Sequence, residues 1–99
     1  MNISDVITIL EKLIIHPEEN NVFVDKLYKW YHIFFGKERE YEIEIDEKIN
    51  KILLKYNGNF IIDDITNVEK YKLLELYEKL HDACEDIVIA NFNSFAFND

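Results

Sequence analysis

Residues 21–36 read NVFVDKLYKWYHIFFG, and ten of the sixteen are apolar or aromatic. A segment this apolar must be covered on most of its sides, so the rest of a small chain has to be arranged around it. Spacing at 3.6 residues collects Phe23, Leu27, Trp30, Tyr31 and Phe34 into one stripe, which Val24, Tyr28 and Phe35 widen. The pattern predicts a helix over 21–35 at the centre of the core, with Gly36 as its C-terminal stop. Asp25, Lys26, Lys29 and His32 are left to face water. The aromatic residues then serve as packing. The sharper alternative makes them a contact surface anchored by Trp30, because Trp and Tyr are enriched at binding hot spots.

Three more segments repeat the helical period. Ile3, Val6, Ile7, Leu10, Leu13 and Ile14 predict a helix over 4–15, capped by Ser4 or Asp5 and stopped by Pro17. Ile45, Ile49, Ile52, Leu53 and Tyr56 predict another, from 43 or 45 to 56, ended by Asn57-Gly58-Asn59. Phe60-Ile61-Ile62 reads as a short extended plug before Asp63-Asp64 returns the chain to solvent. Thr66 and Glu69 match a capping box opening a last helix that reaches residue 90, with Leu73, Leu76, Tyr77, Leu80, Cys84, Ile87 and Val88 as its buried stripe. Phe92, Phe95 and Phe97 beyond it are expected to pack back on the core. Two glycines and one proline in 99 residues oppose an all-β or disordered chain. The expected fold is therefore all-α: one domain over 1–99, a small antiparallel bundle of about four helices with room for a short extended segment between them. The alternative places a hairpin between helices, with residues 41–45 paired to 60–62.

The run EREYEIEIDEK, residues 38–48, departs from helical spacing, with an acid at every second position from Glu38 to Asp46. Alternation belongs to a strand. In a continuous helix Glu38/Glu42, Glu40/Glu44 and Glu42/Asp46 would be like-charged i,i+4 neighbours, each costing a few tenths of a kcal/mol. The helix is therefore placed to start near Glu44, where acids meet the positive end of its dipole, with a solvated acidic connection before it. The functional alternative is a ribbon of carboxylates, about 6.8 Å apart on one side of an extended segment, that meets a basic partner. Its candidate contacts are Glu38, Glu40, Tyr41, Glu42, Glu44, Asp46 and Glu47, with Asp63 and Asp64 as a second acidic region.

Charge narrows the partner class. Twenty acids against eleven bases give a net charge of −9, which disfavours nucleic acid and anionic membrane and favours a cationic protein. One cysteine, Cys84, rules out an internal disulfide and fits a reducing compartment, and no apolar run approaches the length of a membrane span. The expected location is the cytoplasm. The first residues carry no basic n-region, so no signal peptide is expected. Residues 78–81 form a lone Glu-x-x-His, whereas a di-iron site needs two copies and two further Glu. His81 and Cys84 lack a third residue to orient them as a catalytic pair. No enzyme, metal or cofactor is expected.

The piece FVDKLYKWYHIFFGKE, residues 23–38, resembles the Phe/Tyr/Trp-rich region of colicin D-type and contact-dependent-inhibition immunity proteins, over about a sixth of the chain. The resemblance implies a helical bundle that blocks a nuclease toxin with acidic side chains. It aligns none of the acids to family positions, so these stay candidates by charge alone. The expectation is an immunity protein or antitoxin-like inhibitor of a basic protein, acting as a monomer or weak homodimer. The alternatives are a helical scaffold that binds through its aromatic residues, and a phage-type inhibitor that imitates nucleic acid.

Overall fold

The computed structural model describes residues 2–56 and 58–97, with the side chains of the last helix described as far as residue 87. Two helices bracket five strands: α1 (Ile3–Ile15), β1 (Phe23–Leu27), β2 (Trp30–Phe35), β3 (Tyr41–Asp46), β4 (Lys51–Tyr56), β5 (Asn59–Asp64) and α2 (Asn67–Phe97). The strands form one antiparallel meander in the order β1-β2-β3-β4-β5. This α+β fold replaces the expected four-helix bundle.

Two of the expected helices are hairpins. Residues 21–35 form β1 and β2, with Leu27 opposite Trp30 across a two-residue turn. Within β2, Tyr31, Ile33 and Phe35 are buried while Trp30, His32 and Phe34 alternate with them. The five-residue stripe read as a helix face contributes only Tyr31 to the core; Phe23, Leu27, Trp30 and Phe34 lie on the other side of the sheet. Both sides of the ribbon are apolar, so the helical spacing found matches by chance, whereas only the strand period leaves alternate residues buried. The expected third helix divides in the same way. Ile45 and Ile52 are buried cross-strand partners of β3 and β4, Leu53 points to the opposite face, and Ile49 is exposed in the connecting turn. The hairpin alternative places strands correctly at β3 and β5, but β4 lies between them.

The helices cover one face. Val6, Leu10 and Leu13 of α1 and Leu73, Leu76, Tyr77 and Leu80 of α2 close over Tyr31, Ile33, Ile43, Ile45, Ile52 and Leu54. The Tyr77 ring meets Tyr31 edge-on with centroids 4.9 Å apart. Both helix starts are capping boxes. At α1 the N-cap is Asn2, two residues before the expected Ser4, with Asp5 as its reciprocal partner. At α2 the Glu69 N–H donates to Thr66 Oγ1 (3.1 Å) and the Thr66 N–H to Glu69 Oε1 (2.8 Å), as the sequence indicates. Helix α2 runs on to Phe97, past the expected end at residue 90. The packing expected of Phe92, Phe95 and Phe97 falls outside the described side chains. Among the described residues no helix is long and apolar enough to cross a membrane.

Candidate functional site: the open face of the sheet

Directly opposed residues of an antiparallel pair project to the same side. The register therefore fixes what lies on the face away from the helices. Phe23, Phe34, Glu42, Lys55 and Phe60 form one row across the five strands. Asp25, His32, Glu44, Leu53 and Ile62 form the next, and Leu27, Trp30, Asp46, Lys51 and Asp64 the third. Three carboxylates thus run down the central strand, about 6.8 Å apart, between an aromatic flank on β1 and β2 and a mixed flank on β4 and β5. Phe23 is 46% exposed and Trp30 42%. A contiguous apolar patch rimmed by charge marks a place where another molecule sits.

His32 lies inside the acidic row. Its Nδ1 is 3.6 Å from Glu42 Oε1 and its Nε2 is 3.9 Å from Glu44 Oε1, with all three side chains partly buried. Trp30 meets the imidazole edge-on at 4.6 Å, and Phe34 stacks on its other side at 6.0 Å. These atoms lie within 4.8 Å of one another, close enough to raise the question of a metal ion. Each ring nitrogen faces a different carboxylate, however, and one imidazole nitrogen and its carboxylate would have to converge to about 2 Å from a single ion. The ring sits between the two glutamates, with each nitrogen beyond hydrogen-bond distance of the carboxylate it faces. A second group, His81, Asp82 and Glu85 on α2, is open to solvent.

The acids named from the sequence separate on this frame. Glu42, Glu44 and Asp46 gather on the open face. Glu38 and Glu40 lie in the turn before β3, where the Glu38 N–H donates to Glu40 Oε2 (2.9 Å). Glu47 follows β3 and accepts the Tyr31 hydroxyl proton at 3.3 Å. Tyr41 packs between Phe35 and Tyr56, away from the acids. Asp63 is on the helix side of β5, beside Asn2 and Ile3. Asp64 is on the open face but already bound to Lys51 Nζ at 2.9 Å, and that hydrogen bond and charge hold the Lys51 pKa above its ordinary value. His32, Lys51, Lys55, Phe60 and Ile62 on this face are not among the sequence candidates, whereas Phe34 belongs to the aromatic contact surface offered there as the alternative. Only His32 in WYHIFF and the Lys51, Lys55 spacing in KILLKY hint at a strand period, and neither segment points to Phe60 or Ile62.

A cleft of about 570 Å³ lies on the other side of β1, lined by Val22, Phe23, Val24, Arg39, His81 and Cys84 among others. Burial pushes the Cys84 thiol pKa up, which leaves less of the nucleophilic thiolate. No model of a known protein family, no curated protein and no solved structure matches the chain.

Proposed function

We propose that this chain is a non-enzymatic inhibitor of the immunity or antitoxin type, which seats the open face of its sheet on a cationic surface of another protein, in the most concrete case the substrate-binding site of a nuclease toxin. The observation that carries the reading is the row Glu42, Glu44 and Asp46 on the middle strand, flanked by Phe23, Trp30 and Phe34. Carboxylates held on a rigid sheet accept bidentate hydrogen bonds from arginine without ordering a loop first. The neighbouring aromatic flank supplies the desolvated anchor that binding hot spots require, with Trp30 at its corner. Aromatic sheet faces also stack nucleic-acid bases, but they do so beside cationic grooves. Three carboxylates on the central strand and a net charge of −9 speak against that ligand.

The test is binding to the cationic product of the adjacent open reading frame, co-expressed and purified. The expected result is a 1:1 protomer complex that loses affinity about tenfold or more between low and high salt. Glu42→Lys with Glu44→Lys should weaken it further, and Trp30→Ala should cost on the order of 2 kcal/mol. Asp63→Lys should leave it unchanged. An affinity indifferent to salt and to Glu44→Lys would refute the reading.

A further inference from the structure

The two edges of the sheet are built differently. Strand β1 carries Asp25 and Lys26 at its middle; the Lys26 N–H is taken by Asp25 Oδ1 (2.9 Å), and α2 packs against the strand. Charges and local bonds of this kind keep an edge from pairing. Strand β5 has no such protection at its centre. All six residues are exposed, including Phe60 (64%), Ile61 (38%) and Ile62 (64%).

The outward backbone groups of β5 follow from its register. The Ile65 N–H donates to the Asn50 carbonyl at 2.9 Å, in line with the pairs Asp64 to Lys51 and Asp63 to Ile52. Hydrogen-bonded and non-bonded pairs alternate along an antiparallel ladder. Residues 59, 61, 63 and 65 therefore bond inward, and residues 60, 62 and 64 aim their N–H and C=O groups away from the sheet. The Asp64 N–H is already taken by Asp63 Oδ1 at 2.9 Å. Phe60 and Ile62 are left with both backbone groups open.

We propose that this edge pairs with β5 of a second copy, antiparallel, about a two-fold axis through Ile61. In that register Phe60 exchanges both hydrogen bonds with Ile62 of the other copy, and Ile62 with its Phe60, so four bonds use the open groups. The side chains match as well. Phe60 meets Ile62 on the open face, Ile61 meets its own counterpart on the helix side, and Asp63 falls opposite Asn59. No acid faces an acid. Shifting the register by two residues in one direction sets Phe60 against Asp64 and Ile61 against Asp63, which removes the apolar match and calls on the occupied Asp64 N–H. The shift in the other direction keeps Phe60 against its counterpart but sets Ile61 against Asn59 and Ile62 against Gly58, which leaves both isoleucines without an apolar partner. An odd shift would bring opposite faces together.

The axis is normal to the sheet, so the assembly is one ten-stranded sheet with both open faces on the same side. The two carboxylate rows lie about 24 Å apart, five strand spacings. The inference stands apart from the inhibitor reading, and salt separates the two. Each copy carries −9, so screening strengthens self-association while it weakens a bond to a cationic partner.

The contact is small, and associations of this size are weak. Sedimentation equilibrium of the full chain up to about 500 µM is expected to show monomer and dimer, with more dimer at higher salt. Ile62→Lys should remain monomeric at every concentration with an unchanged circular dichroism spectrum. The register has its own test. On a Cys84→Ser background, Ile61→Cys should cross-link under mild oxidation, because paired residues at an unbonded position bring their Cα atoms to about 4.5 Å. Ile62→Cys should cross-link at least about tenfold more slowly, its Cα atoms being separated by more than the roughly 7 Å a disulfide tolerates. A wild type that stays monomeric throughout, a dimer that survives Ile62→Lys, or cross-linking through residue 62 in preference to 61 would overturn the proposal.

Discussion

Ile45 and Ile49 lie four residues apart and would share one face of a helix, yet the sheet separates them. Ile45 is fully buried on β3 between Tyr31 and Ile52, whereas Ile49 is 56% exposed in the turn that follows. Ile45→Ala removes three buried carbons, about 2.4 kcal/mol at roughly 0.8 kcal/mol each. The cavity left between two strands and the helices above them raises the cost to about 3–4 kcal/mol. Ile49→Ala leaves water where water already was and should cost less than about 0.5 kcal/mol. Urea denaturation followed by far-ultraviolet circular dichroism gives both values. With a slope of about 1.5 kcal/mol/M, Ile45→Ala should lower the midpoint by about 2 M and Ile49→Ala should scarcely move it. Equal losses from the two variants would refute the sheet register and restore the helical spacing.

Gly36 has φ +106°, and a Cβ there would sit 2.7 Å from the Glu40 carboxylate, so Gly36→Ala should cost about 1–3 kcal/mol by chemical denaturation. Glu40→Ala alongside it should recover only the part due to that contact. Thr66→Ala removes the hydroxyl that accepts the Glu69 N–H and should cost about 1 kcal/mol by the same measurement. Burial, with a smaller contribution from Glu78, pushes the Tyr77 pKa up to about 12. The folded state therefore keeps a proton that the unfolded chain gives up near pH 10. Stability from this group is complete below pH 10 and is lost as pH rises to about 12, a decline that Tyr77→Phe should reduce in thermal melts. The Cys84 thiol, pushed up by burial, should react with a chromogenic disulfide reagent at pH 8 more slowly in the folded state than in urea.

The features readable from sequence were those that depend on near neighbours. Thr66 and Glu69 announce their helix because a capping box is complete within four residues. Pro17 ends α1 for a reason equally local. The acidic run also carried its strand period openly, and that part of the reading belongs to β3. The first three hairpins are concealed by their turns, while Asn57-Gly58 before β5 is a signal that serves a helix end and a hairpin alike. Tyr28, Arg39 and Asn50 adopt left-handed conformations at φ +53° to +55°, and neither Tyr nor Arg is a turn signal. Without that punctuation, residues 23–35 run together as one apolar segment that fits either period. The open face was hidden for a related reason. Its members come from five strands, so His32 approaches Glu42 and Glu44 only once the register is known.

Every strand in this meander pairs with its immediate neighbours in the chain, and no connection crosses another. As the chain leaves the ribosome, each hairpin can close as soon as its second strand emerges, without waiting for a distant partner. The exception is the lid. Leu73, Leu76, Tyr77 and Leu80 come after all five strands, so the nascent sheet holds a half-covered oily surface until the last third of the chain is made. Synthesis arrested before residue 80 should therefore yield a sticky intermediate rather than a smaller stable protein.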